Sequence, residues 1–92
     1  MRHSIAKPQF DRDIQRLKQR GKNIEKLISA ISIIEQGKRL PSSLRPHKLK
    51  GEYDGCWECH IESDWLIVWE SYRDHILLIR TGNHADLLKN LT

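Results

Sequence analysis

The chain has 92 residues, of which 30% are charged and 38% are hydrophobic, and its formal net charge is +4. Eleven isoleucines, eleven leucines and three tryptophans fill one modest core, which excludes a disordered chain and predicts a single domain over residues 1–92. Residues 1–51 hold 13 Lys and Arg against 4 Asp and Glu, whereas residues 52–92 hold 3 against 8. The basic half indicates either a polyanionic partner, such as nucleic acid, or a solvated surface.

The sequence carries no sign of a membrane span or an export signal. No apolar run approaches the roughly 18 residues of a membrane helix, and the first ten residues lack the apolar stretch of a signal peptide. We therefore expect a cytoplasmic location and no membrane partner. In that compartment Cys56 and Cys59 are expected to be reduced thiols unless they hold a metal or a cofactor.

The chain begins with a predicted strand and a predicted helix. Residues 2–6 alternate in the manner of a strand, and Pro8 then suits the first turn of a helix that ends at Gly21. Asp11 and Asp13 are expected in that first turn, because the helix dipole favours acids there.

The next segment predicts a second helix and a connector. Asn23 is expected to cap the helix and Gly37 to end it, with an apolar stripe made of Ile24, Leu27, Ile28, Ile31 and Ile34. The two helices are expected to form a hairpin. Residues 38–51 contain prolines and serines but no acid, and so predict a basic connector that enters a strand near Lys48 and Leu49.

Three β-rich runs follow, over residues 56–61, 65–72 and 75–80. The segments between them are short enough for antiparallel hairpin turns. The order β-α-α-β-β-β predicts an α+β fold, in which a hairpin of two N-terminal helices packs on a small antiparallel sheet.

Residues 56–60 read Cys-Trp-Glu-Cys-His, which matches the signature of covalent haem attachment. The sequence lacks an export signal, and Met1 is its only methionine, so haem is disfavoured. Zinc is also disfavoured, because positions three apart on a strand point to opposite faces. Thioredoxin-type redox chemistry needs a helix after the pair, and none is predicted. We therefore expect two reduced cysteines that serve as small strand residues, with no metal or cofactor.

Five residues are candidates for acid–base chemistry on a phosphate: His47, His60, Asp64, His84 and Arg80. Each of these residues, taken alone, is more simply explained as a hydrogen-bonded surface or core residue, or as a turn residue. Antiparallel hairpins would, however, bring His60, Asp64 and His84 to one rim of the sheet.

Such a cluster suits cleavage of RNA without a metal. A base removes the proton of a ribose 2′-hydroxyl, an acid protonates the departing 5′-oxygen, and a cation such as Arg80 holds the charge that builds on the phosphate. Histidine serves as either base or acid near neutral pH. Trp57 and Trp65 are candidates for stacking on a base, although a tryptophan in a strand is more often part of the core.

Residues 45–51, 59–68 and 80–88 resemble the signature blocks of the YafQ toxins within the RelE superfamily, notably in the runs His60-Ile61-Glu62-Ser63-Asp64-Trp65 and Arg80-Thr81-Gly82-Asn83-His84. The resemblance implies a type II toxin, a ribosome-dependent endoribonuclease that cuts mRNA and is held inactive by a cognate antitoxin.

The resemblance also implies roles for individual residues. By position, His47, His60, Asp64 and His84 match the catalytic residues of the family, with His60 and Asp64 on the base side and His84 as the acid. Further substrate contacts are expected from Arg80, which matches the phosphate-binding arginine, and from Trp65, Lys48, Lys50 and Leu88. Leu88 stands where the family often has an aromatic residue, and Ser63 replaces a common proline.

Two other functional classes compete with the toxin. One is a non-catalytic module that binds RNA or the ribosome, or an inactive toxin homologue, using the basic residues Lys38, Arg39, Arg45, Lys48 and Lys50. The other is a metal or haem protein built on Cys56, Cys59 and His60.

Overall fold

The computed structural model describes residues 1–88, apart from the side chains of Glu52 and Leu88. The strands are β1 (His3–Ala6), β2 (His47–Lys48), β3 (Trp57–Glu62), β4 (Trp65–Ser71) and β5 (His75–Gly82), and the helices are α1 (Pro8–Gln19), α2 (Ile24–Glu35) and α3 (His84–Leu88). Two single turns of 3-10 helix, Ser42–Leu44 and Gly51–Tyr53, flank β2 in the connector. The predicted α+β class is confirmed, and the six elements of the predicted order appear as β1, α1, α2, β3, β4 and β5. The strand expected near Lys48 is β2, and α3 was not predicted.

The strands form one sheet in the order β1-β5-β4-β3-β2. β3 pairs antiparallel with β4, and β4 with β5, as predicted for the hairpins, and β2 pairs antiparallel with β3. β1 departs from that prediction, because it pairs in parallel with β5 and makes the sheet mixed. The hairpin argument applies only to consecutive strands, and two helices separate β1 from the rest of the sheet. The pairing register shifts between positions 60 and 62 of β3 and between Val68 and Trp69 of β4, as at β-bulges.

Apolar side chains cover both faces of the sheet. On one face α1 and α2 contribute Phe10, Leu17, Leu27 and Ile34 to a buried cluster with Cys59, Trp65, Ile67, Trp69, Ile76 and Leu78. On the other face a smaller cluster joins Leu87 of α3 to Cys56, Leu66 and Val68, with Leu49, Tyr53 and Ile79 packed against it. The alternation of residues 66–69 between the two clusters follows from strand geometry.

The helix ends follow the sequence signals closely. Asn23 caps α2, since its side-chain oxygen accepts a hydrogen bond from the backbone N–H of Glu25 at 3.1 Å. Gly21 and Gly37 take left-handed backbone angles directly after the two helices, as expected of terminating glycines. None of the helices within residues 1–88 is both long and apolar enough to cross a membrane.

Candidate active site

The first part of the candidate active site is a hydrogen-bonded pair, His84 and Asp64. Asp64 lies in the turn between β3 and β4, and His84 begins α3 just beyond the end of β5. One carboxylate oxygen of Asp64 accepts hydrogen bonds from His84 Nδ1 at 2.7 Å and from the His84 backbone N–H at 3.1 Å. These bonds hold the pKa of Asp64 below its usual value. His84 therefore offers its Nε2 atom to a substrate while Asp64 fixes the orientation of the ring.

The second part is His60 on β3, whose ring centre lies 5.8 Å from that of His84. The amino group NH2 of Arg45 lies 3.1 Å from His60 Nδ1. Because a guanidinium only donates, Nδ1 accepts this hydrogen bond, and the proton of the neutral ring sits on Nε2. Burial, followed by the charge of Arg45, lowers the pKa of His60 below its usual value. This shift favours the uncharged ring at neutral pH, which is the form that a general base needs.

Glu58 connects His60 to the third predicted histidine, His47. The pairing of β2 with β3 sets His47 opposite Glu58, and His47 Nε2 lies 3.3 Å from Glu58 Oε1. His47 Nδ1 donates to the backbone carbonyl of Arg45 at 3.0 Å. The same oxygen of Glu58 lies 3.9 Å from His60 Nε2. One carboxylate, with only 9% of its side chain exposed, thus faces two histidines.

These contacts change the prediction of which carboxylate supports which histidine. Asp64 was expected to support His60, but it bonds to His84, and Glu58 is the acid that faces His60. Neither Glu58 nor the contact of Arg45 with His60 was predicted. Strand alternation was the available signal for Glu58, because positions 58 and 60 share a face of β3.

Arg80 on β5 is held by a carboxylate on α1. Its Nε and NH2 groups donate to the two oxygens of Asp13 at 2.7 and 3.1 Å. Asp13 is fully buried and also accepts from the backbone N–H of Thr81 at 3.1 Å. The expectation that Asp13 lies in the first turn of α1 is wrong, since only Asp11 lies there. Asp13 follows two residues later, on the face that packs against β5, and this ion pair fixes the end of β5 that leads to His84.

A second acid, Asp86, secures α3 and therefore His84. Asp86 and Asn83 cap the helix reciprocally, because each side chain accepts a hydrogen bond from the other residue's backbone N–H, at 2.7 and 3.2 Å. Arg20 donates to both oxygens of Asp86 at 2.7 and 3.2 Å, and this contact lowers the pKa of the acid. Gly82 makes the close approach possible, because a Cβ atom there would lie 2.9 Å from Asp86 Oδ2.

The other predicted substrate contacts divide into exposed and buried residues. Lys48 and Lys50 are exposed, with Lys48 Nζ 5.5 Å from the ring centre of Trp57. Trp65 does not fit the predicted stacking role, because its side chain is fully buried and its indole N–H donates to Thr81 Oγ1 at 2.9 Å. The bulk of the ring is needed in the core between the helices and the sheet. The side chain of Leu88 lies outside the described part of the chain.

The two cysteines lie in separate clusters on opposite faces of the sheet, as their spacing predicted, although Cys56 lies one residue before β3 and only Cys59 is a strand residue. Burial raises the pKa of the Cys59 thiol to about 12 and also raises that of Cys56. Both thiols are therefore protonated at neutral pH and are poor nucleophiles and poor metal ligands. Within residues 1–88, no three side chains of His, Cys, Asp or Glu with described positions are grouped so that they could hold a metal ion.

The fold and this site define a small α+β protein with acid–base groups gathered where its last strand meets a short helix. The chain belongs to the YafQ family, since the family model described as a bacterial toxin of type II toxin-antitoxin systems matches residues 2–89. The family inferred from the three sequence blocks is thereby confirmed.

Individual relatives agree with this assignment. The mRNA interferase toxin YafQ of Escherichia coli strain K12 is 29% identical over 80 residues, which are 86% of this chain and 87% of that protein. A chain in the crystal structure of the E. coli DinJ-YafQ toxin-antitoxin complex matches with a TM-score of 0.86 and 26% identity, covering 94% of this chain and 96% of its own length. A copper-bound mutant toxin from Helicobacter pylori matches with a TM-score of 0.89 and 29% identity, covering 95% of this chain and 99% of that one.

Proposed function

We propose that this toxin is a cytoplasmic endoribonuclease that cuts mRNA on the ribosome and is held inactive by a cognate antitoxin. The observation that carries the proposal is a pair of histidines in unlike surroundings, one largely buried beside Arg45, the other bonded to a carboxylate, with ring centres 5.8 Å apart. General acid–base cleavage of a phosphodiester needs two such groups in different protonation states. The name of the E. coli relative, an mRNA interferase, supports the same substrate class.

In the proposed reaction His60 is the base and His84 is the acid. The proton of a ribose 2′-hydroxyl moves to His60, and the 2′-oxygen attacks the adjacent phosphorus atom. The bond from phosphorus to the 5′-oxygen breaks, and that oxygen takes a proton from Nε2 of the charged His84 ring. Asp64 supports this role, because its carboxylate stabilises the imidazolium through Nδ1. The products are a 2′,3′-cyclic phosphate and a 5′-hydroxyl, so protons and electrons balance.

We assign the cations near the histidines to two tasks, which are to bind the reacting phosphate and to bind the RNA that flanks it. We assign Arg80 to the phosphate of the transition state, in an orientation held by Asp13. His47, held between Glu58 and the Arg45 carbonyl, shares the Glu58 carboxylate with the proposed general base, His60. Exposed cations of the connector are proposed to hold ribosomal RNA or mRNA by phosphate contacts, namely Lys38, Arg39, Lys48 and Lys50.

Metal independence is part of the proposal, because His60 and His84 together supply both proton transfers. The copper-bound H. pylori toxin makes this point worth testing directly. Purified protein that keeps its cleavage rate in a chelator would support the proposal, whereas activity restored only by an added divalent ion would contradict it.

The central experiment compares His84→Ala with His75→Ala. His75 bonds to Asp74 at 2.8 Å much as His84 bonds to Asp64, but it lies at the opposite end of β5 and so provides a matched control. We expect His84→Ala to abolish growth arrest and mRNA cleavage on translating ribosomes, and His75→Ala to leave both intact. Naked RNA should be cut only weakly by the wild type.

The same assay separates catalysis from simple binding. If His60→Ala and His84→Ala keep every phenotype while Lys48→Glu with Lys50→Glu removes it, the protein is a binding module and the proposed function is wrong. Co-expression of the protein encoded next to the toxin gene should suppress the arrest if that protein is the antitoxin.

A further inference from the structure

A cleft of about 440 Å³ opens beside His60, between the 3-10 turn Ser42–Leu44 and the turn that joins β3 to β4. Arg45 and Ser43 line one side of it, and His60, Glu62 and Ser63 line the other. The cleft thus has both the cation Arg45 and the proposed base His60 among its lining residues. These two residues make it a candidate site for a phosphate group of the substrate.

The backbone of Arg45 is fixed in an uncommon conformation. Its φ of 49° and ψ of 57° place it in the left-handed region, and no other non-glycine residue of the described chain has a positive φ. The Arg45 N–H donates to the Ser42 carbonyl at 3.0 Å, and its own carbonyl accepts from His47 Nδ1 at 3.0 Å. Strained backbone of this kind persists where surrounding contacts enforce it, and it is common at functional sites. These contacts aim the side chain of Arg45 into the cleft.

The guanidinium of Arg45 donates a hydrogen bond to Nδ1, the only basic atom of the neutral His60 ring. Its NH2 group lies 3.1 Å from Nδ1, while the protonated Nε2 faces Glu58 at 3.9 Å. Arg20 and Arg80 are each bonded to a carboxylate, but no carboxylate with a described side chain forms an ion pair with Arg45. The exposed charge of Arg45 is thus available to an anion. A phosphate oxygen is a stronger acceptor for a guanidinium than a neutral imidazole nitrogen.

We propose that Arg45 binds the phosphate of the substrate RNA and, in doing so, releases Nδ1 of His60 to act as the base. This inference rests on the proposed function. In the free protein the Arg45 hydrogen bond blocks Nδ1. When RNA enters, NH2 of Arg45 turns from Nδ1 to a phosphate oxygen. Nδ1 then takes the proton of the 2′-hydroxyl, and the resulting charge on the ring is stabilised by Glu58 through Nε2–H.

The protonation of His60 depends on charged groups from three parts of the fold. Arg45 from the connector and His84 from α3 favour the neutral ring, whereas Glu58 from β3 favours the charged ring. When phosphate offsets the charge of Arg45, the balance moves toward the proton-accepting state. His60 thus becomes a stronger base only when the substrate is bound, which limits its reactivity in the empty site.

The first test measures the titration of the His60 ring by NMR, which requires no catalysis. Arg45→Ala should raise the pKa of His60, and Arg73→Ala, which removes an exposed arginine from the turn between β4 and β5, should not change it. Inorganic phosphate serves as the probe of the cleft: it should raise the pKa of His60 in the wild type and in Arg73→Ala, and leave it unchanged in Arg45→Ala. An unchanged pKa in Arg45→Ala would overturn the inference.

The second test measures single-turnover cleavage of mRNA on ribosomes. Arg45→Ala should slow cleavage about tenfold to a hundredfold, and the acidic limb of its pH–rate profile should move to higher pH. Arg45→Lys should restore part of the rate. If His60→Ala and His84→Ala are inactive but Arg45→Ala matches Arg73→Ala, only this inference fails. If His84→Ala remains active, the proposed function itself fails. Circular dichroism of Arg45→Gly, in which the left-handed backbone is unstrained, checks that lost activity is not lost folding.

Discussion

The guanidinium of Arg80 and the carboxylate of Asp13 form a two-point ion pair across 67 positions of sequence, between β5 and α1. Asp13 has no exposed surface, and the Arg80 side chain is 17% exposed. The pair ties the first helix to the strand that delivers His84. Removal of one partner from such a pair leaves an uncompensated charge in a site that water cannot fully reach.

Asp13→Ala is therefore expected to destabilise the fold strongly. The loss should be about 3–5 kcal/mol, as is typical when one member of a buried ion pair is removed. Urea unfolding of the purified toxin, followed by tryptophan fluorescence, measures the difference. Asp11→Ala is the matched control: this acid is exposed in the first turn of α1 and should cost less than about 1 kcal/mol. Equal losses in the two variants would show that the ion pair adds little.

Asp64→Asn should impair cleavage while it leaves the fold intact. The amide keeps the size of the side chain but loses the charge that stabilises the protonated His84 ring, and loss of effective acid catalysis costs about 10²-fold or more. Single-turnover cleavage on ribosomes measures this effect. Asp74→Asn removes the equivalent charge beside His75 and should leave the cleavage rate unchanged in the same assay. A full rate in Asp64→Asn would mean that His84 does not act as the acid.

Local patterns predicted most of the elements and part of the site. The end of α1 before Gly21, the cap of α2 at Asn23 and the antiparallel order of the last three strands depend on neighbouring residues, and sequence shows such features directly. Asp64 and His84 meet because the hairpins bring the ends of β3 and β5 to one rim. The hairpin topology predicted that these two residues lie close together, and the structure shows them hydrogen-bonded.

Contacts between distant segments were beyond the reach of these patterns. Asp13 looked like a dipole-favoured acid because nothing local indicates a partner 67 positions away. The parallel pairing of β1 depends on how the helix pair returns the chain to the sheet, which no turn signal records. Glu58 and Arg45 acquire their roles only when β2 and the connector lie beside β3. Electrostatic roles of this kind depend on three-dimensional neighbours.

Glu58→Gln should change the pH dependence of cleavage in a defined direction. Burial and Arg45 already hold the pKa of His60 below its usual value, and the carboxylate of Glu58 opposes that decrease. Its removal lowers the pKa further, because the charged ring loses an attractive partner. The neutral, active form of His60 then persists to lower pH, so the acidic limb of the rate profile moves down in pH. The plateau rate falls, because the base is weaker.

The Glu58→Gln experiment combines a pH–rate profile with NMR titration of His60. Glu70→Gln is the control, since this acid lies on β4, accepts from the Tyr72 hydroxyl at 2.7 Å and is not among the groups that shift the pKa of His60. The control should keep the wild-type profile. A rise in the pKa of His60 in Glu58→Gln would contradict the proposed electrostatics of the site.

Gly82→Ala should disturb both stability and activity, because Gly82 joins β5 to the turn that precedes His84. Its φ of 153° is rarely adopted by other residues, and a Cβ atom would lie 2.9 Å from Asp86 Oδ2. The strain costs about 1–3 kcal/mol, and displacement of Asp86 moves the start of α3.

Gly21→Ala separates the strain from the contact with Asp86: its φ of 78° is also unfavourable, but nothing lies within 4 Å of the added carbon. Urea unfolding should therefore show a larger loss for Gly82→Ala, and only this variant should also lower the cleavage rate measured on ribosomes under folded conditions. If both variants lost the same stability and kept full activity, the contact between Gly82 and Asp86 would have no part in holding His84.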